Sequence, residues 1–237
     1  MFKTALVEAF TAMGMPLSAQ QIEQFCTFND MLVETNKVMN LTAITEPKEV
    51  AIKHMADSVS CYDGAYFPQG ATVLDLGTGA GFPGIPLAIL RPDLEITFFD
   101  SLQKRLTFLE KVVQALGLPN CTFLHGRAEE MAHQAAYREA FNIVTSRAVA
   151  RLPILAEWAL PYVKLGGTFI SLKGAQYEDE CAESTKALSI LGGTLKEVSL
   201  ITLPGLDDVR AVVYITKTAK SPKKYPRKPK MAAKNPL

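Results

Sequence analysis

Between Thr72 and Gly84 the chain runs Thr72-Val73-Leu74-Asp75-Leu76-Gly77-Thr78-Gly79-Ala80-Gly81-Phe82-Pro83-Gly84: a short apolar run, an acid, then four glycines within eight residues. This spacing predicts a strand over Thr72–Leu76, a glycine loop, and a helix over Ile85–Leu90. A residue without a Cβ takes positive φ and lets backbone N–H groups approach a ligand, and the helix start adds a positive dipole end. Two patterns overlap here. Gly79-x-Gly81-x-x-Gly84, with Asp100 twenty-one residues beyond Gly79, fits a dinucleotide fingerprint. Asp75-x-Gly77-x-Gly79-x-Gly81 instead sets a carboxylate just ahead of the glycines. That acid would repel a pyrophosphate but suits an adenosine cofactor with no phosphates and a positive amino-acid end, which describes S-adenosylmethionine. We favour that cofactor over a nicotinamide and over an ordinary tight turn.

Further candidates lie at intervals along the chain. Asp100 closes the apolar run Glu95–Phe99, at a strand end where its two oxygens could accept both ribose hydroxyls; capping the next helix is the competing role. Ala128 and Glu129 fall on the expected loop after Cys121–His125, where backbone amides could read an adenine edge. Two acids at a helix start are also favourable through the dipole alone. Arg147 comes straight off the strand Phe141–Thr145 and points to the mouth of the cleft or to an ion pair. His54 and Asp57 stand on adjacent turns of a predicted helix, where His54 is either a substrate contact or a structural residue.

These residues need a scaffold, and the rest of the sequence supplies one. Helical spacing covers Thr4–Met13 and Gln20–Met39, with Ser18 as a cap, and Glu46-Pro47 opens a helix through about Tyr62. From Thr72 strands and helices alternate, as in a parallel sheet covered on both faces. Ser101–Leu116 reads as a helix closed by Gly117, with shorter helices at Met131–Tyr137 and Pro153–Tyr162. Gly166-Gly167 reads as a turn, Thr168–Leu172 as a strand, and Tyr177–Leu191 as a helix. Thr194–Leu203 and Val209–Lys217 look like an antiparallel hairpin. The expected layout is an N-terminal helical extension (1–65), a Rossmann-like α/β domain (66–217) and a basic, proline-rich arm (218–237).

Composition bounds the class. Of 237 residues 21% are charged and 48% hydrophobic, an ordinary globular balance, and no apolar run approaches a membrane span. Glu8 and Thr11 interrupt the opening apolar run, so no signal peptide is expected and the cytoplasm is. Four scattered cysteines suggest neither zinc nor disulfides, only reduced, mostly buried thiols. The net charge of +1 hides a segregation: 217–237 carries eight basic residues and no acid, leaving 17 basic against 24 acidic, a net of −7, elsewhere. A basic tail on an acidic body suggests a polyanionic partner. Its prolines deny it a stable helix, so an extended arm lying along a phosphate backbone is expected, a partnerless disordered tail being the other reading. Arg147, Lys173, Lys223, Lys224, Arg227 and Lys228 are the cations that would meet phosphates.

Asn40-Leu41-Thr42, His54-x-x-Asp57-Ser58, the Asp75–Gly84 loop, Ser146-Arg147-Ala148, Leu172-Lys173-Gly174 and Tyr225-Pro226-Arg227-Lys228-Pro229 together make the chain resemble the RsmG (GidB) family. These are bacterial methyltransferases acting on guanine N7 in 16S ribosomal RNA. The one departure is Lys230-Met231 where the family pattern has Gly-Thr. The resemblance implies a class I S-adenosylmethionine-dependent methyltransferase fold, with a mostly parallel seven-stranded sheet ending in the hairpin. It also implies cofactor contacts at Gly77, Phe82, Ala128, Glu129 and Arg147, beside Asp75, Gly79 and Asp100 read above. The partner would be 16S rRNA or a small-subunit precursor, with a monomeric enzyme and neither metal nor membrane. Thr145-Ser146-Arg147-Ala148 is neither the Asn-Pro-Pro-aromatic turn of exocyclic-amine enzymes nor a cysteine nucleophile. Guanine N7 needs neither, because its in-plane lone pair carries no proton. No general base is nominated, and a part for His54 or Lys173 stays open. A nicotinamide enzyme and a non-catalytic ribosome-binding protein are the competing readings.

Overall fold

In the computed structural model, which describes residues 1–237, seven strands pair into one sheet. They are β1 (Thr72–Leu76), β2 (Glu95–Asp100), β3 (Cys121–His125), β4 (Phe141–Arg147), β5 (Val163–Lys173), β6 (Gly193–Ile201) and β7 (Arg210–Lys217). The order is β3-β2-β1-β4-β5-β7-β6, parallel from β3 to β5, with β7 antiparallel between β5 and β6. The chain leaves β1 toward one edge and returns to β4 on the other side. The crevice beyond the C-terminal ends of these two strands is where open α/β sheets take ligands.

Alternation along the strands sorts the core into two layers. Val73, Ile96, Phe98, Ile143 and Tyr214 face one side, under α5 (Gly84–Leu90), α6 (Gln103–Leu116) and the N-terminal helices. Leu74, Phe99, Val144, Val213 and Ile215 face the other, under α8 (Leu152–Ala159) and α9 (Tyr177–Leu191). The N-terminal helices α1 (Phe2–Ala12) and α2 (Ala19–Met39) share the first layer: Phe10, Phe25, Phe28 and Leu32 are wholly buried in it. Each such side chain contributes roughly 1.5–3 kcal/mol by leaving water. A capping box opens α2, in which Gln21 N donates to Ser18 Oγ and Ser18 N to the Gln21 side chain. After α2, Asn36 Oδ1 accepts from the backbone N–H groups of Leu41 and Thr42, folding a corner that fixes Thr42.

The segment expected as one helix to Tyr62 ends at Val59. It comprises α3 (Pro47–Glu49), a π-helical stretch Val50–Ala56, and α4 (Asp57–Val59). π-helical turns concentrate at functional sites, and this one carries His54. Gly166-Gly167, expected as a turn ahead of the strand Thr168–Leu172, lies inside β5. Phe141 pairs with Val163 and Ile143 with Thr168, so 164–167 bulge outward. Glycine is required there, since a Cβ on Gly167 would stand 2.5 Å from Asn142 O. The helix placed at Met131–Tyr137 begins earlier, as α7 (Ala128–Met131), and a 3₁₀ turn, Leu160–Tyr162, follows α8.

The C-terminal residues also depart from expectation. Rather than extending, they fold back on α8 and finish in the single turn α10 (Met231–Lys234). Tyr225 is buried in the second layer. The Arg138 guanidinium donates to the carbonyls of Ala132, Ser221, Pro222 and Tyr225, pinning the segment from the opposite side. Lys217, counted with the tail charges, is buried in β7, where its ammonium donates to Leu160 O and Leu191 O. Burial pulls its pKa down to about 8.

Candidate active site

The glycine loop follows β1 without a break. Gly77 and Thr78 donate their N–H groups to Phe99 O at 2.9 and 3.0 Å, which ties the loop to β2. Gly77, Gly79 and Gly81 have φ of 72°, 60° and 100°, the left-handed region that favours glycine. Two cavities meet over this loop. The smaller, about 180 Å³, lies among Leu76, Phe99, Gly126, Arg127, Ala128, Glu129 and Trp158. The larger, about 400 Å³, lies among Thr42, His54, Thr78, Gly79, Phe82, Arg105 and Arg147. Gly77, Asp100, Ser101 and Val149 border both.

Asp100 ties the glycine loop to the entry of α6. Its Oδ1 accepts Leu102 N at 2.9 Å at the entry to α6, and its Oδ2 accepts Gly79 N at 3.0 Å and faces Arg105 at 3.3 Å. The same carboxylate stands on the rim of both cavities. Ala128 and Glu129 border the smaller one from the first turn of α7 rather than from a loop, and Ala128 O accepts the Tyr162 hydroxyl at 2.7 Å.

Asp75 requires a correction. It borders neither cavity and is wholly buried, because it shares the face of Val73 and so points under α5. Its Oδ2 accepts the Thr78 hydroxyl at 2.6 Å and Gly84 N at 2.9 Å. A Cβ on Gly84 would lie 2.5 Å from that oxygen. Burial pushes the Asp75 carboxyl up to about 6 despite these donors. The acid braces the loop from below; it does not face a ligand.

The expected strand Phe141–Thr145 runs on two residues further, so Arg147 is the last residue of β4, and alternation turns it toward the π-helical segment. Its guanidinium donates to Asp57 Oδ2 at 2.8 Å, to Lys53 O at 3.1 Å and to His54 Nδ1 at 3.2 Å, and stands 4.8 Å over the Phe82 ring. Because Nδ1 accepts, His54 is the neutral tautomer whose Nε2–H donates to Thr42 Oγ1 at 2.7 Å. Burial and the adjacent guanidinium hold its pKa down at about 4. Phe82 lies between His54 and Phe28, at ring-centroid distances of 4.6 and 5.3 Å. Asp57 is shared with Arg210, 3.4 Å away.

Among the expected phosphate contacts, Lys223, Lys224 and Lys228 are exposed. Arg227 is not free: its backbone N–H and guanidinium hold Glu157, whose side chain is wholly buried, at 2.6–3.1 Å. Lys173 is also engaged, donating to Ala150 O at 2.7 Å and pairing with Glu180 at 2.8 Å. Of the four free cysteines only Cys61 is fully buried, and that burial pushes its thiol up. No group of three or more metal-ligating side chains is assembled, and no helix is long and apolar enough to cross a membrane.

Spacing alone misses Val149, Trp158 and Ser101. Val149 reaches the loop because Ala148 adopts φ of 56° and turns the chain back. Its Cγ2 stands 2.5 Å from where a Cβ on Gly77 would be. The bare Gly77 and Gly79 backbone, the Asp100 carboxylate and the paired cavities fit an adenosine cofactor whose two ends lie on either side of Gly77. With Asp75 turned below the loop, Asp100 and Glu129 are the carboxylates that line the two cavities.

Residues 21–205 match a family model described as GidB, rRNA small subunit methyltransferase G. The chain is 48% identical over 237 residues to the ribosomal RNA small subunit methyltransferase G of an Exiguobacterium species, covering 100% of both chains. It is 45% identical over 235 residues to the protein of that name from Alkaliphilus metalliredigens, covering 99% of this chain and 98% of the other. Among solved structures, a predicted O-methyltransferase from Agrobacterium tumefaciens superposes with a TM-score of 0.54 at 21% identity, covering 70% of this chain and 81% of that one. The fibrillarin pre-rRNA processing protein of Methanococcus jannaschii gives 0.53 at 16%, covering 69% and 74%. At such identities these two speak for the fold alone.

Proposed function

The chain belongs to the GidB family, rRNA small subunit methyltransferase G, and from that premise we propose that it moves a methyl group from S-adenosylmethionine to N7 of one guanine in 16S rRNA. The observation that carries this reading is the side-chain-free rim of Gly77 and Gly79 between two cavities, with Asp100 on one flank and Arg147 on the other.

Gly77, Gly79 and Asp100 would hold the cofactor at its centre, Ala128 and Glu129 at the adenine end, and Arg147 and Phe82 at the amino-acid end. The cofactor supplies a sulfonium-bound methyl group already activated for transfer. What remains for the chain is placement. The acceptor nitrogen offers an in-plane lone pair and gives up no proton, so no side chain need act as a base. The caged Arg147, fixed by Asp57, Lys53 O, His54 and the Phe82 face, is a rigid wall against which the base is held. Orientation of this kind lowers a barrier by about 7–11 kcal/mol in favourable cases. Neutral His54 takes no proton; it positions Arg147.

In this reading residues 1–65 brace the cleft and 66–217 form the transferase domain. Within 218–237, Lys223, Lys224 and Lys228 approach phosphates while Arg227 anchors the segment. The enzyme acts as a cytoplasmic monomer on rRNA or a small-subunit precursor. The test is transfer of labelled methyl to small-subunit RNA from cells lacking the protein, followed by nucleoside analysis. The expected product is 7-methylguanosine. Label in methylcytidine or in protein overturns the assignment. Gly77→Ala, which adds a Cβ at positive φ against Val149, is expected to lower transfer at least tenfold while salt-sensitive RNA binding persists.

A further inference from the structure

A third and larger cavity, about 480 Å³, opens beyond the C-terminal ends of β4 and β5 and the start of β7. It shares His54, Arg147, Ala148 and Val149 with the donor side, so a ligand in it abuts the reacting centre. Most of the charged groups around it are cationic. Its two acids are Asp57 and Glu180, and they differ in what they have left to offer. Asp57 is spent: Oδ2 accepts from Arg147 and Oδ1 faces Arg210.

Glu180, in the first turn of α9, is only 8% exposed. Its Oε2 accepts Leu152 N at 2.7 Å and meets the Lys173 ammonium at 2.8 Å. Both bonds fall on one oxygen, so Oε1 is an acceptor without a partner in the chain. Lys173 in turn gives one N–H donor to Ala150 O and stands as an ion pair 2.8 Å from Glu180, with donor capacity left over. The wall therefore offers one immobilised carboxylate oxygen beside one spare ammonium donor.

Base edges differ in how they match this pair. Guanine presents two adjacent donors, N2–H and N1–H, followed by the O6 acceptor. Adenine presents an acceptor at N1, cytosine an acceptor at N3, and uracil a single donor between two carbonyls. We propose that Glu180 is the residue that selects guanine, its Oε1 accepting from N1–H and N2–H while Lys173 donates to O6. For N7 to be the atom methylated, a base held this way must turn its five-membered ring toward the wall shared with the donor side. The inference deepens the N7 reading and rests on it.

The test uses Glu180→Gln in the full chain. The amide oxygen retains the bonds to Leu152 N and Lys173, while the amide nitrogen replaces Oε1, turning an acceptor into a donor at constant volume. Substrates are small-subunit RNA with either guanine or inosine, which lacks the N2 amine, at the position that wild type methylates. Wild type is expected to prefer guanine by tenfold or more in kcat/KM. E180Q is expected to lose at least tenfold on guanine and to treat the two bases within about threefold, with S-adenosylmethionine affinity unchanged. Glu180→Asp, which withdraws the acceptor without reversing it, is expected to keep the guanine preference at reduced rate. Wild type that methylates guanine N7 but does not discriminate, or E180Q that still does, overturns the role of Glu180 alone. Wild type that leaves guanine N7 unmethylated overturns the N7 reading and this inference together.

Discussion

His54 connects chemistry to stability at the level of a single side chain. It takes a hydrogen bond from Arg147, gives one to Thr42, and stacks on Phe82, so its neutral form is built into the fold. With its pKa held near 4 instead of 6.5, the unfolded chain takes up a proton that the folded chain refuses. Stability from this residue is therefore complete above pH 6.5, is lost as the pH falls toward 4, and falls no further below that. The total is on the order of 3 kcal/mol. His54→Phe keeps the stack and removes both hydrogen bonds. Urea midpoints at pH 7 and pH 5 are expected to lie closer together for this variant than for wild type, and its methyl transfer to fall because Arg147 loses an acceptor. An unchanged gap between the midpoints would contradict the buried neutral tautomer. Asp75 makes a companion point about legibility. The acid-led glycine pattern was readable, and so was the strand before it. Yet the side chain's direction followed from parity with Val73, which sends it under α5 toward Gly84 and away from any ligand.

At the level of elements, regular periodicity was legible and backbone departures were not. Thr72–Leu76, Cys121–His125 and Tyr177–Leu191 carry patterns bounded by clear stop signals, and they fold as those patterns imply. The π-helical Val50–Ala56 shows no local mark, and its contacts are with residues distant in sequence: Arg147 meets Lys53 O and His54, and Phe82 stacks on His54. Gly166-Gly167 has turn composition, but its glycines serve the close approach of β5 to β4. The proline-rich tail misleads in the same way, since its order comes from Glu157 on α8 and from Arg138, neither near it in sequence. That clamp is expected to be strong. Arg227→Met leaves the buried Glu157 carboxylate uncompensated, at a cost of about 3–5 kcal/mol. Glu157→Leu in the same chain should recover much of it, as a denaturant midpoint would report. A small loss from Arg227→Met alone would mean that Glu157 finds water.

Over the whole molecule, three cavities lie beyond the C-terminal ends of the parallel strands, and one short stretch of chain borders them all. Ala148 and Val149, between β4 and α8, border the 400 and 480 Å³ cavities, and Val149 borders the 180 Å³ cavity as well. None of this was visible in the sequence, where Ser146-Arg147-Ala148 marked the place but not the left-handed turn at Ala148 that brings Val149 back over the loop. Val149 packs on Gly77, at the junction of the two smaller cavities, and borders the largest one as well. Under the proposed reaction a side chain shared by all three cavities would couple donor to acceptor, and ordered turnover is expected, with the sulfonium compound first on and its demethylated product last off. Initial-rate measurements should show that product competing with the donor but acting noncompetitively toward RNA, and trimming Val149 to alanine should relax the pattern toward random order.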